Sequence, residues 1–64
     1  MKEEKESTKE KILYTTLQVI ENEGINAVTV RKIASAAEVN VAAVNYHFGS
    51  KEELLEKAME FSLY

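Results

Sequence analysis

Three short stretches of this sequence carry side chains suited to holding anions and reading the edges of heterocycles. Lys51 opens an expected helix, where unsatisfied backbone N–H groups attract anions, so Lys51 and the helix end can clamp a phosphate. It can equally be a solvated lysine beside Glu52. Tyr46 and His47 offer a phenol hydroxyl and an imidazole N–H, both able to donate to phosphate. Being adjacent, they cannot share one helix face. The alternatives are a half-buried aromatic with a wet tip for Tyr46 and a packing or capping role for His47. Thr29 can cap a helix and also donate its hydroxyl to a phosphate. Arg31 carries the guanidinium fork that matches guanine O6 and N7, or else makes a surface ion pair worth little. Lys32 reads as solvated. Asn45 can pair with adenine N6 and N7 or with a phosphate, or be a plain polar surface residue. Val41, Ala42 and Ala43 begin the same expected helix, and their methyl groups suit contact with thymine, while Asn40 just ahead of them offers an amide tip suited to a major groove. Val41 can instead be core.

Other chemistries lack their groups. The chain has no cysteine, no aspartate and a single histidine, so neither a thiolate zinc site nor a metal role for His47 is expected. Ser7, Ser35, Ser50 and Ser62 have no base-and-orienter partners, and the glutamates fall on solvated faces, so no catalytic residue and no cofactor is expected. With 64 residues and 7.2 kDa the chain is one domain at most, too short for a complete enzyme pocket. Its uncharged run from Val39 to Ser50 contains Asn40, Asn45 and His47, which excludes a membrane span there. The charged first residues carry no secretory signal. Net charge is −3, which alone argues against nucleic acid. Its distribution argues otherwise. Residues 29–51 carry Arg31, Lys32 and Lys51 against Glu38 alone, while both flanks are acidic.

The elements that must position these residues read as all helical. There is no proline, and the two glycines, Gly24 and Gly49, are punctuation. Ser7 with Glu10 matches a capping box. Ile12, Leu13, Thr16, Leu17 and Ile20 then share an arc of about 140°, giving a first helix that ends near Asn22 and stops at Gly24. Ile25 to Val28 is a connection with an apolar anchor at each end. Thr29 caps a short second helix whose Val30, Ile33, Ala34 and Ala37 share a face. Glu38 and Val39 interrupt, and Asn40 caps a third helix from Val41 to about Phe48. Ser50 with Glu53 is a second capping box, opening a fourth helix with the stripe Leu54, Leu55, Ala58, Met59 and Ser62. Ile12, Leu13, Leu17, Ile20, Ile33, Val39, Val44, Phe48, Leu54, Leu55 and Ala58 are the expected core. The last helix ends on apolar residues without a cap, so the sequence is expected to be a piece of something longer.

Two short helices joined by a tight turn form a helix-turn-helix. From pattern alone a DNA-binding unit and a bland helical bundle both remain open. The stretch from Thr29 to Leu55, TVRKIASAAEVNVAAVNYHFGSKEELL, resembles the N-terminal DNA-binding domain of tetracycline-repressor (TetR) family bacterial regulators. The resemblance rests on Thr29, Ile33-Ala34, Ala37, Val39, Tyr46-His47-Phe48, Ser50-Lys51 and Leu54, and spans roughly residues 8 to 60. It departs at Glu38, where the family usually has glycine, and at Asn45, often tyrosine. It implies an all-α, homeodomain-like fold: a small helical bundle with a central helix-turn-helix and the start of a fourth helix. Residues 1–7 are then a charged flexible leader and 8–64 the DNA-binding domain, with no ligand and dimerisation domain present. It further implies a cytoplasmic repressor that binds double-stranded DNA through the major groove and phosphates. It implies a homodimer in the full-length protein, on a palindromic operator. A small-molecule inducer would act only through the absent domain, and no membrane is involved. The DNA-binding set is then Thr29, Arg31, Asn40, Val41, Ala42, Ala43, Asn45, Tyr46, His47 and Lys51. The competing reading is a helical protein-interaction module that uses Phe61, Leu63 and Tyr64.

Overall fold

Ile12, Leu13, Thr16 and Val19 recur at helical spacing on one arc of about 120°, and all four are buried. They belong to α1 (Glu3–Glu23), the longest element of the computed structural model, which describes the backbone of residues 3–63 and side chains from Thr8 to Leu63. Val19 was not in the expected stripe. Leu17 falls beyond the edge of the true arc and Ile20 lies in the last turn, so both are only half-buried against the core. The buried Thr16 hydroxyl donates to the Ile12 carbonyl at 2.8 Å, which satisfies it within its own helix. The helix starts ahead of the expected Ser7 cap. The Ser7 side chain lies outside the described residues.

Gly24 ends α1 at φ 95°, where its N–H donates to the Ile20 carbonyl at 2.9 Å. A single 3-10 turn, Ile25–Ala27, follows. Only one of its two expected anchors is buried: Val28 is fully enclosed, whereas Ile25 is 45% exposed.

Thr29 caps α2 (Val30–Ala37) as expected, its Oγ1 accepting the Lys32 N–H at 3.0 Å. Ile33, Ala34 and Ala37 are buried, and the two alanines leave room for the next helix. Glu38 closes α2 in the left-handed region, φ 63° and ψ 45°, with its N–H donating to the Ala34 and Ser35 carbonyls. The Val39 N–H reaches the Ala34 carbonyl at 2.9 Å, and its side chain is half-buried rather than a full core member. Asn40 then leads into α3 (Val41–Phe48), anchored by buried Val44 and Phe48. Gly49 ends α3 at φ 87°, and its N–H donates to the Asn45 carbonyl at 2.8 Å.

Ser50 caps α4 (Lys51–Ser62) by accepting the Glu53 N–H at 3.1 Å. Leu54 and Ala58 are fully buried. Leu55 is half-buried, while Met59 and Ser62, expected in the stripe, are exposed. Phe61 instead packs edge-on against Tyr14 of α1, ring centres 5.2 Å apart. The helix α1 thus lies against both α2 and α4, and α3 rests on α2 and more lightly on α4. The described residues form no strand, and the architecture is the expected all-α helix-turn-helix bundle. Tyr64, the last residue of the expected apolar tail, lies outside the described residues.

Candidate nucleic-acid interface

The side chains of α3 divide sharply between core and solvent. Val44 and Phe48 lie about 40° apart on the helix and point into the protein. Ala42 and Tyr46 lie on the opposite side and are exposed, with Asn45 exposed beside them. Tyr46 is 85% exposed, and its hydroxyl has no hydrogen-bond partner among the described residues. Leaving a whole tyrosine ring in water brings the isolated fold no burial. The half-buried tyrosine reading therefore fails. His47, one step around the helix, is half-buried, and its ring meets Tyr46 edge-on at 5.3 Å and Phe48 at 6.1 Å. The packing alternative for His47 is therefore met, and a half-exposed ring edge remains. Val41 is 41% exposed, so it belongs to the outer surface and not to the core, while Ala43 is half-buried at the margin.

Asn40 occupies the cap position of α3, and its carbonyl accepts the Ala43 N–H at 3.0 Å. Its side chain makes no capping bond. That corrects the sequence reading of Asn40 as a side-chain cap. The first-turn N–H groups are met in part by the tight backbone bond, and the amide stays uncommitted at the exposed tip of α3. Thr29 and Ser50 differ: each hydroxyl oxygen accepts a backbone N–H, which still leaves the O–H proton to donate elsewhere.

The cations separate into two groups. Lys32 is ion-paired with Glu23 at the end of α1, which corrects its reading as solvated. Arg31 and Lys51 are exposed and take part in no ion pair among the described residues, so the salt-bridge alternative for Arg31 is not found, while Lys51 is solvated beside Glu52 and free of it. Their charge is available to an external anion. Sequence reading overlooked Ser35, an exposed hydroxyl one turn beyond Arg31 on the same face of α2; the four-residue spacing was the signal.

All ten expected contact residues are thus exposed or half-buried, and none is consumed by the core. They form three clusters on consecutive elements: Thr29 and Arg31 at the start of α2, Asn40 to His47 along α3, and Lys51 at the start of α4. No hydrogen bond or ion pair joins the clusters among the described residues. Among those residues there is also no group of side chains that could hold a metal ion, and no helix is long and apolar enough to cross a membrane.

Residues 12–58 match the family model described as bacterial regulatory proteins, tetR family. Over 52 residues the chain is 40% identical to the probable HTH-type transcriptional regulator YttP of Bacillus subtilis, covering 81% of this chain and 25% of that protein. It is 43% identical over 49 residues to the HTH-type transcriptional dual regulator CecR of Shigella flexneri, covering 77% and 22%. It is 31% identical over 61 residues to the HTH-type transcriptional regulator AcrR of Shigella flexneri, covering 95% and 28%. The chain therefore spans about a quarter of the length of these curated relatives. No solved structure matches it.

Proposed function

The chain belongs to the tetR family of bacterial regulatory proteins, whose matched domain binds DNA to regulate transcription and is not an enzyme, and from that premise we propose that it is the reading head of a repressor. The outer face of α3 enters the major groove, with Asn40 and Asn45 at base edges and the methyls of Val41, Ala42 and Ala43 against thymine. Arg31 reaches a guanine edge or a phosphate. Thr29, Tyr46, His47 and Lys51 hold phosphates on either side and fix the helix in register. Repression is steric: the bound domain occupies the operator.

One such domain touches few base pairs. The longer protein acts as a homodimer on a palindrome, through residues outside this sequence, and an inducer bound there releases the DNA. Its place of action is the bacterial cytoplasm. Residues 8–64 are the DNA-binding unit of that protein.

The observation that supports this reading best is the two-sided α3, with Tyr46 set in solvent opposite Val44 and Phe48. The test is a chemical-shift titration with a palindromic duplex selected from a randomised pool. Shifts at Thr29, Arg31, Asn40 to His47 and Lys51 are expected, with affinity falling linearly in the logarithm of salt concentration. Two copies joined beyond Tyr64 should bind about 10²–10⁴-fold more tightly than one. Shifts confined to the far end of α4, without salt dependence, would overturn the proposal and favour a protein-docking role.

A further inference from the structure

Glu38 is the one acidic side chain between Thr29 and Lys51. It is exposed and in no ion pair among the described residues. It is also the one non-glycine described residue at positive φ, 63°. A left-handed backbone disfavours a side chain with a Cβ, so the turn itself gains nothing from glutamate here. The carboxylate has no structural partner to explain it either. What it does have is position. Asn40, at the tip of α3, is two residues on, so the two Cα atoms are at most about 7 Å apart, inside the roughly 8 Å screening length of physiological salt.

We propose that Glu38 is an electrostatic brake on DNA affinity, an inference that rests on the DNA-binding role of α3. Its negative charge is carried beside the helix tip by the left-handed turn. There it repels the phosphates flanking the groove whatever the bases are. The interaction with one phosphate about 10 Å away in water is roughly two-thirds of RT before screening and smaller at physiological salt, and several phosphates contribute. The brake keeps a single domain weakly bound on every sequence, so that stable occupancy depends on two domains acting together.

The test uses Glu38→Gln, which keeps size and backbone but removes charge, Glu38→Lys, which reverses it, and Glu38→Gly. Each is titrated with a random-sequence duplex and a selected palindrome over a range of salt. Glu38→Gln should tighten both duplexes alike, about two- to five-fold at low salt, with the gain fading as salt rises. Glu38→Lys should exceed it. Glu38→Gly should match Glu38→Gln in affinity while raising the thermal midpoint, which separates charge from turn strain. Equal binding by wild type and Glu38→Gln, or a gain on one duplex only, would overturn the brake and leave the DNA-binding role standing. Absence of any salt-dependent binding by the wild type would overturn both.

Discussion

Tyr46 and Phe48 are aromatic residues two positions apart on one short helix, and their burial predicts opposite outcomes for their loss. Tyr46 is 85% exposed, and its one described ring contact is the edge of His47 at 5.3 Å. Tyr46→Phe removes only the hydroxyl, so folding stability should stay within about 0.5 kcal/mol, as for other surface changes. If that hydroxyl donates to a phosphate in the complex, its loss removes a hydrogen bond to a charged group, worth about 1.5–3 kcal/mol. That corresponds to a dissociation constant raised roughly 10- to 150-fold. Because phosphate carries no sequence, the loss should be equal on matched and mismatched duplexes. Phe48→Ala is the internal contrast. Phe48 is 5% exposed, and its truncation should cost about 3–5 kcal/mol, a large share of what a domain this small has to lose. The assay pairs a thermal melt with fluorescence anisotropy on two labelled duplexes. Wild-type affinity in Tyr46→Phe would refute the phosphate assignment. A thermal midpoint lowered by Tyr46→Phe would show that the hydroxyl holds a partner within the fold after all.

Three further outcomes are expected. Lys51→Ala should weaken binding on all sequences similarly and reduce the salt slope by about one, measured by titration at several salt concentrations. Arg31→Ala and Asn45→Ala should each relax discrimination at one base pair by about 1–3 kcal/mol in a panel of single-base operator variants; full retention of preference by both would mean that α3 reads DNA shape. Gly49→Ala should destabilise the fold by roughly 1 kcal/mol through backbone strain alone, since a Cβ there would meet no atom within 4 Å but φ is 87°; an unchanged thermal midpoint would contradict this.

Local rules carried most of the fold. Ser50 with Glu53 and Thr29 with Lys32 make the cap bonds that their spacing announces, and Gly24, Gly49 and Glu38 take the positive φ that ends three helices. These features depend on a few neighbouring residues, which is why they can be read in sequence. The failures are of another kind. Val19 is buried and Leu17 is not, because the centre of a helix's inward arc is set by where α2 and α4 press on it. Lys32 pairs with Glu23 across a turn, a contact between elements that no helical spacing encodes. Asn40 holds the expected cap position but makes no cap bond with its side chain, and sequence cannot tell an amide that bonds its own helix from one left free. At the candidate interface, residue types were legible from the basic middle segment and the charge-poor third helix. Which side chains stay uncommitted needed three dimensions.

The anchoring of α3 by its buried residues Val44 and Phe48 has an evolutionary consequence. Ala42, Asn45 and Tyr46 bear none of the packing, so each can be exchanged at little cost to folding. A lineage can therefore drift from one target site to another through single substitutions without passing through an unfolded ancestor. Loss of either anchor has no such freedom. Inheritance would be expected to hold the two buried positions apolar while the outer positions diverge between paralogues.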